Sequence, residues 1–184
     1  MGTLVLGGIG LLAVLAILAY NDLLRRRNRV EQAYSTIDVQ LTQRYDLIVK
    51  LVETVKQYMG HERSLLEEIT RLRTRAAEST TVDKKLEADN ELSRALGKLQ
   101  VSMENYPQLR ASETFVQLQR SLNEVEEQLA AARRAYNGAV MDYNTAVQAF
   151  PSSLVAGPMG FGLRRVFTAD EMKRGDVDMK RLFA

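Results

Sequence analysis

The run Leu4–Tyr20, LVLGGIGLLAVLAILAY, decides how the remainder is read, because no charged side chain occurs before Asp22. An uncharged apolar run of about 17–20 residues, rising ~1.5 Å per residue, just spans a hydrocarbon core of about 30 Å. LLRRRNR follows directly and sets Arg25, Arg26, Arg27 and Arg29 as a basic collar. Residues 1–21 therefore read as one transmembrane helix, with Leu4, Leu11, Leu15 and Tyr20 as membrane-anchoring positions. A cleaved signal peptide needs a positive segment before the run and a small-x-small site after it. Met1-Gly2-Thr3 carries no side-chain charge and the run ends Ala19-Tyr20-Asn21, so an uncleaved anchor is expected. Four Arg follow the span and none precedes it, which predicts a cytoplasmic domain, with the opposite face as the alternative. Gly7, Gly8, Gly10, Ala13 and Ala16 would allow close approach of two spans, although they share no single face.

Beyond the span, the 184-residue chain has room for one compact domain. Between residues 22 and 150 Ala, Leu, Glu, Gln, Arg and Val dominate, a helix-forming mixture. A net charge of +2, with no basic stripe interleaved with aromatics, argues against a nucleic-acid partner. Cys is absent, which excludes disulfides, a zinc knuckle and a thiol nucleophile.

From Val30 the apolar positions fall at alternating steps of three and four: Tyr34, Ile37, Leu41, Tyr45, Ile48, Val52, Val55, Met59. That is the seam of an amphipathic helix in a bundle or coiled coil. Neither Pro nor Gly interrupts residues 11–59, so span and first domain helix can form one rod. The seam resumes at Leu65, Ile69, Leu72 and Ala76; a reversal at Gly60 gives four helices, and an unbroken helix gives three. Ser79-Thr80-Thr81 is a polar break. A further helix is expected from Val82 to Tyr106, with Leu86, Leu92, Leu96, Leu99, Met103 and Tyr106 inward and Pro107 as its stop. The last long helix begins near Ser112 and carries the cleanest seam, from Phe115 through Leu129, Tyr136 and Tyr143 to Val147 and Phe150, before Pro151. The fold class is thus all-α: a transmembrane helix, a long antiparallel bundle over residues 22–150, and a tail over 151–184. In that tail SSLVAGPMGFG, Ser152 to Gly162, is apolar and glycine-rich. It reads as a strap closing the bundle, or as a contact, through Phe161, with another subunit or the lipid surface. Its glycines fit no phosphate-loop spacing. Phe167, Thr168, Glu171 and Met172 then have the form of a capping box with a hydrophobic staple opening a short final helix.

No catalytic constellation emerges. His61-Glu62 starts like a zinc-protease motif, but the second imidazole position is Leu65. With one His and no Cys, neither a transition-metal site nor a di-iron bundle is built, and no cofactor is expected. Glu53, Glu67, Glu68, Glu126 and Glu127 sit among Lys and Arg as a solvated face does. Two polar groups are less ordinary. Asp38, Gln40, Arg44 and Asp46 surround the inward Tyr45. Tyr136-Asn137 recurs seven residues later as Tyr143-Asn144, stacking both Tyr on one face and both Asn on the next. These are candidate register contacts within the bundle or a polar ladder between subunits.

The segments RNRVEQAYSTIDVQLTQRYDLIVKLVETVKQY (Arg27 to Tyr58), ARRAYNGAVMDYN and FPSSLVA together resemble the LemA family over nearly the whole chain, IDVQLTQRYDLI being the most specific part. The resemblance implies a bacterial single-span protein of the inner membrane with a helical bundle domain and no established enzymatic activity. It also implies relatives in magnetosome membrane formation and frequent genetic proximity to a membrane metalloprotease. A Pro common after RYDLI in the family is Val49 here, which favours an uninterrupted first helix. The resulting expectation is a non-enzymatic, homo-oligomeric scaffold or membrane organiser, whose partners are itself and the bilayer. The alternative is an adaptor that recruits another membrane protein through the bundle surface.

Overall fold

Helix α1, Gly2–Lys56, is continuous because residues 11–59 hold neither Pro nor Gly to interrupt its hydrogen bonds. The computed structural model describes residues 2–79 and 82–167. Among them every regular element is helical: after α1 come α2 (Arg63–Glu78), α3 (Val82–Ser102), a 3-10 turn (Met103–Asn105), α4 (Pro107–Arg110), α5 (Glu113–Gln148) and α6 (Ser153–Ala156). The fold is all-α, an apolar N-terminal helix followed by an antiparallel helical bundle. The side chains of Leu4 and Leu86, and the expected cap and helix from Thr168 onward, lie outside the described residues.

The chain reverses around Gly60, so the four-helix alternative is the one adopted. Two tightened bonds, Gln57 N–H to the Thr54 carbonyl and Tyr58 N–H to the Val55 carbonyl, end α1, and Met59 is buried under the turn. Asp46 meets Arg73 at 3.5 Å, which sets α2 against α1. Arg75 with Glu91 and Glu68 with Lys98 show α3 antiparallel to α2, the partner numbers falling as the others rise. Pro107 ends nothing by itself: it occupies the first turn of α4, where its missing N–H costs no bond.

Two compact units emerge. One comprises Met1–Ile37 and Ala131–Phe167. Within it α1 exposes apolar side chains all round from Leu6 to Leu18: Leu6, Ile9, Leu11, Leu12, Val14, Leu15, Ile17 and Leu18. This helix is long and apolar enough to cross a membrane. Burial begins at Leu23 and continues at Val30 and Ile37 of α1 and at Ala132, Tyr136, Val140 and Tyr143 of α5; Tyr34 meets Tyr136 across the two helices.

The other unit, Asp38–Ala130, is a four-helix core. The α1 seam is buried from Leu41 to Met59 at every position the period marks. Leu51 joins it, because a helix packed against more than one neighbour buries a wider stripe than a two-stranded seam. In α2 the buried residue of the first turn is Leu66 rather than Leu65, since the reversal resets the phase. In α3 the buried residue is Ala95 rather than Leu96, and its small side chain admits close helix approach. At the end of α5 the expected seam overruns: the helix stops at Gln148 and Phe150 is 81% exposed. A full side-chain burial of Leu or Phe stabilises by roughly 1.5–3 kcal/mol, so these seams are what hold both units.

Candidate functional site

In the four-helix unit the polar cluster around Tyr45 centres on Arg44. Arg44 lies three residues after Leu41 and four before Ile48, so it shares the buried stripe and is 4% exposed. Its Nη1 donates to Asp89 Oδ1 at 2.5 Å, and Nη2 donates to Ser93 Oγ at 2.9 Å and meets Glu126 Oε1 at 2.6 Å. Ser93 Oγ in turn donates to the Asp89 carbonyl at 2.9 Å. One guanidinium thus joins α1, α3 and α5. Burial works against its charge, but the carboxylates of Asp89 and Glu126 outweigh burial and hold Arg44 above the ordinary arginine range. Asp38, one α-helical turn and a half earlier, pairs with Lys85 of α3. Tyr45 is buried beside the cluster, and Asp46 turns outward to Arg73. His61 is exposed in the α1–α2 turn. A second polar link closes that turn: Tyr106 Oη donates to the Glu62 carboxylate at 2.8 Å, which raises the phenol above its usual range.

In the other unit the repeated Tyr-Asn pairs grip the chain's own tail. Asn144 Nδ2 donates to the Arg164 carbonyl at 2.8 Å, and the Arg164 N–H donates back to Asn144 Oδ1 at 2.9 Å. Asn137 does the same with Phe167, at 3.0 and 2.8 Å. Each amide side chain therefore pairs with a backbone residue as a neighbouring strand would. Tyr143 Oη donates to the Gly162 carbonyl at 3.0 Å and Tyr136 Oη to the Arg165 carbonyl at 3.4 Å. The register has a simple origin. Seven helical residues rise about 10.5 Å, and three extended residues cover about 10 Å. A heptad repeat on α5 thus matches a three-residue repeat on an extended tail running the other way. Arg164 also reaches Glu31 of α1 at 2.9 Å. Phe167 packs on Tyr136 with centroids 4.8 Å apart, Tyr136 meets Tyr34 edge-on, and Phe161 meets Tyr20 edge-on at 5.6 Å. The glycine-rich segment turns into this strap at Gly160, whose φ of 74° suits a residue without Cβ.

The collar residues Arg25, Arg27 and Arg29 are exposed, while Arg26 bonds Asp22 one turn back at 2.7 Å. Among the described residues no group of three or more His, Asp or Glu converges as a metal site. The arrangement positions helices and a tail. No spacing in the sequence marks Asp89 and Ser93 as partners of Arg44, and Glu126, expected on a solvated face, instead pairs with this buried guanidinium. The available signal was Asp89 itself, a carboxylate standing between Ala88 and Leu92 in the α3 stripe.

The family model described as the LemA family matches residues 33–180. The protein named Protein LemA from Metamycoplasma hominis is 27% identical over 164 residues, covering 88% of this chain and 74% of that protein. Magnetosome protein MamQ of Magnetospirillum gryphiswaldense is 32% identical over 92 residues, half of this chain and a third (33%) of that protein. Magnetosome protein MamQ 2 of Paramagnetospirillum magneticum is similar at 33% over the same length, with the same coverage. With the family model matched along most of its length, and an all-α fold led by an apolar helix, the chain belongs to the LemA family.

Proposed function

We propose that this protein is a non-enzymatic, membrane-anchored helical bundle that self-assembles into a homo-oligomeric scaffold or membrane organiser. The observation that carries the reading is α1: from Leu6 to Leu18 its large apolar side chains are exposed on every side, and the same helix then supplies the buried bundle stripe from Val30 onward. A helix that is apolar all round and uncovered by its own chain belongs in lipid. The glycines of that span, Gly7, Gly8 and Gly10, have open space where a Cβ would stand, which supports close packing of a second span. The basic collar favours a cytoplasmic bundle at the inner membrane of a bacterium. The polar clusters support the same reading, since Arg44 joins helices and the Tyr-Asn pairs hold the tail.

Co-expression of two differently tagged full-length copies tests it. After solubilisation, capture of one tag should bring down the other copy in stoichiometric amount. Recovery of each copy alone, beside an equimolar third protein, would instead favour an adaptor that recruits another membrane protein.

A further inference from the structure

Between Asp142 and Arg164 the chain carries no charge at all: residues 143–163 read YNTAVQAFPSSLVAGPMGFGL. Phe150, Leu154 and Met159 of this stretch are 81%, 68% and 60% exposed. Such uncovered apolar side chains mark a contact surface, and the unit Met1–Ile37 with Ala131–Phe167 shows where that surface lies. The tail runs along α1 in the same direction, Phe161 beside Tyr20 and Arg164 beside Glu31. It runs against α5, Asn144 holding Arg164 and Asn137 holding Phe167. Helices α1 and α5 are therefore antiparallel within this unit, level at the Tyr34–Tyr136 contact. From Tyr136 to the end of α5 at Gln148 the helix rises about 18 Å, and the same rise back along α1 from Tyr34 reaches Asp22. The turn after Gln148 thus lies beyond the first charge of α1, level with the last residues of the apolar run, and the tail passes Tyr20 again at Phe161.

We infer that residues 149–160 form a second membrane element, an interfacial loop that inserts Phe150, Leu154 and Met159 at the headgroup–acyl boundary beside the span. The occupant of this surface is lipid because the segment is tied, by the contact of the buried Phe161 ring with Tyr20, to a helix already apolar enough to cross the bilayer. Aromatic side chains such as Tyr20 and Phe150 favour that depth, and apolar segments lying in the interface bury their side chains about 5–10 Å deep. The inference rests on the reading of α1 as a membrane anchor. Its consequence is orientation: a lone helix leaves its domain free to tilt, whereas two contacts fix this unit against the membrane plane.

The chain has no Trp, so single-Trp variants report position cleanly. Full-length F150W, L154W and M159W would be reconstituted in phosphatidylcholine–phosphatidylglycerol vesicles with brominated acyl chains. L15W reports the span, and M141W reports an exposed α5 position level with Arg29. The expected result is that the three loop reporters lose most of their emission to bromine, as L15W does, while M141W is quenched only by aqueous iodide. If L15W is quenched by bromine and the loop reporters follow M141W, the anchor stands and the inference falls. If L15W also escapes bromine, both fall. Loop reporters shielded from bromine and iodide alike would mean a second copy covers the loop, which also overturns the inference.

Discussion

Arg44 shows how one residue ties three helices. Its charge is buried and answered by Asp89 and Glu126, so removing it leaves carboxylates inside the bundle without their cation. Arg44→Ala is expected to destabilise the protein by about 3–5 kcal/mol, the usual cost of breaking a buried pair from one side. The double variant Arg44→Met with Asp89→Leu should recover most of that loss, because neither charge is then stranded. Glu126 keeps a quarter of its side chain in solvent (26%), and Glu126→Gln should cost about 1 kcal/mol or less. Denaturant unfolding followed by circular dichroism ranks the three. At Gly160 the positive φ predicts a loss of about 1 kcal/mol for Gly160→Ala, whereas Gly162→Ala, which has open space and an ordinary backbone, should be nearly neutral. Of these residues Arg44 stands out in the sequence, but Asp89 and Glu126 lie 45 and 82 residues away, and no one-dimensional spacing encodes a pairing between different helices.

The elements show a sharper division. Helix stripes repeat along the chain itself, so the seams from Val30 to Met59 and from Phe115 to Tyr143 are legible in the amino-acid order alone. The reversal at Gly60 is not, because one glycine costs only about 1 kcal/mol within a helix and the decision falls to tertiary packing. The Tyr-Asn heptad is visible, yet its partner is backbone, which carries no sequence signature. Replacing both Asn137 and Asn144 by Leu should release the strap. Hydrogen exchange would then show the Arg164 and Phe167 amides losing protection while amides of α2 keep theirs. The Glu62–Tyr106 link predicts a pH signature. The phenol is raised by the hydrogen bond to Glu62 above the ordinary value of about 10. A raised folded value means the link stabilises fully below the unfolded pKa and is lost as pH climbs through the folded one. Ultraviolet titration should show one late-titrating Tyr that returns toward the ordinary range in Glu62→Gln. Tyr106→Phe should lose the corresponding alkaline decline in stability.

At the scale of the molecule, the chain devotes its buried charges to holding helices and its uncovered apolar surface to the span and the adjoining tail. A net charge of +2 leaves the basic collar as its main electrostatic feature next to the apolar run. Family membership accords with this architecture. Neither the seams nor the strap require a second copy, so the proposed self-assembly rests on the small residues of the apolar run and on the exposed surfaces. Its direct measurement is the mass of the full-length protein ejected from lipid nanodiscs in a native mass spectrometer. The account predicts discrete multiples of the 20.7 kDa chain that persist on dilution; a 20.7 kDa monomer at every concentration would contradict it.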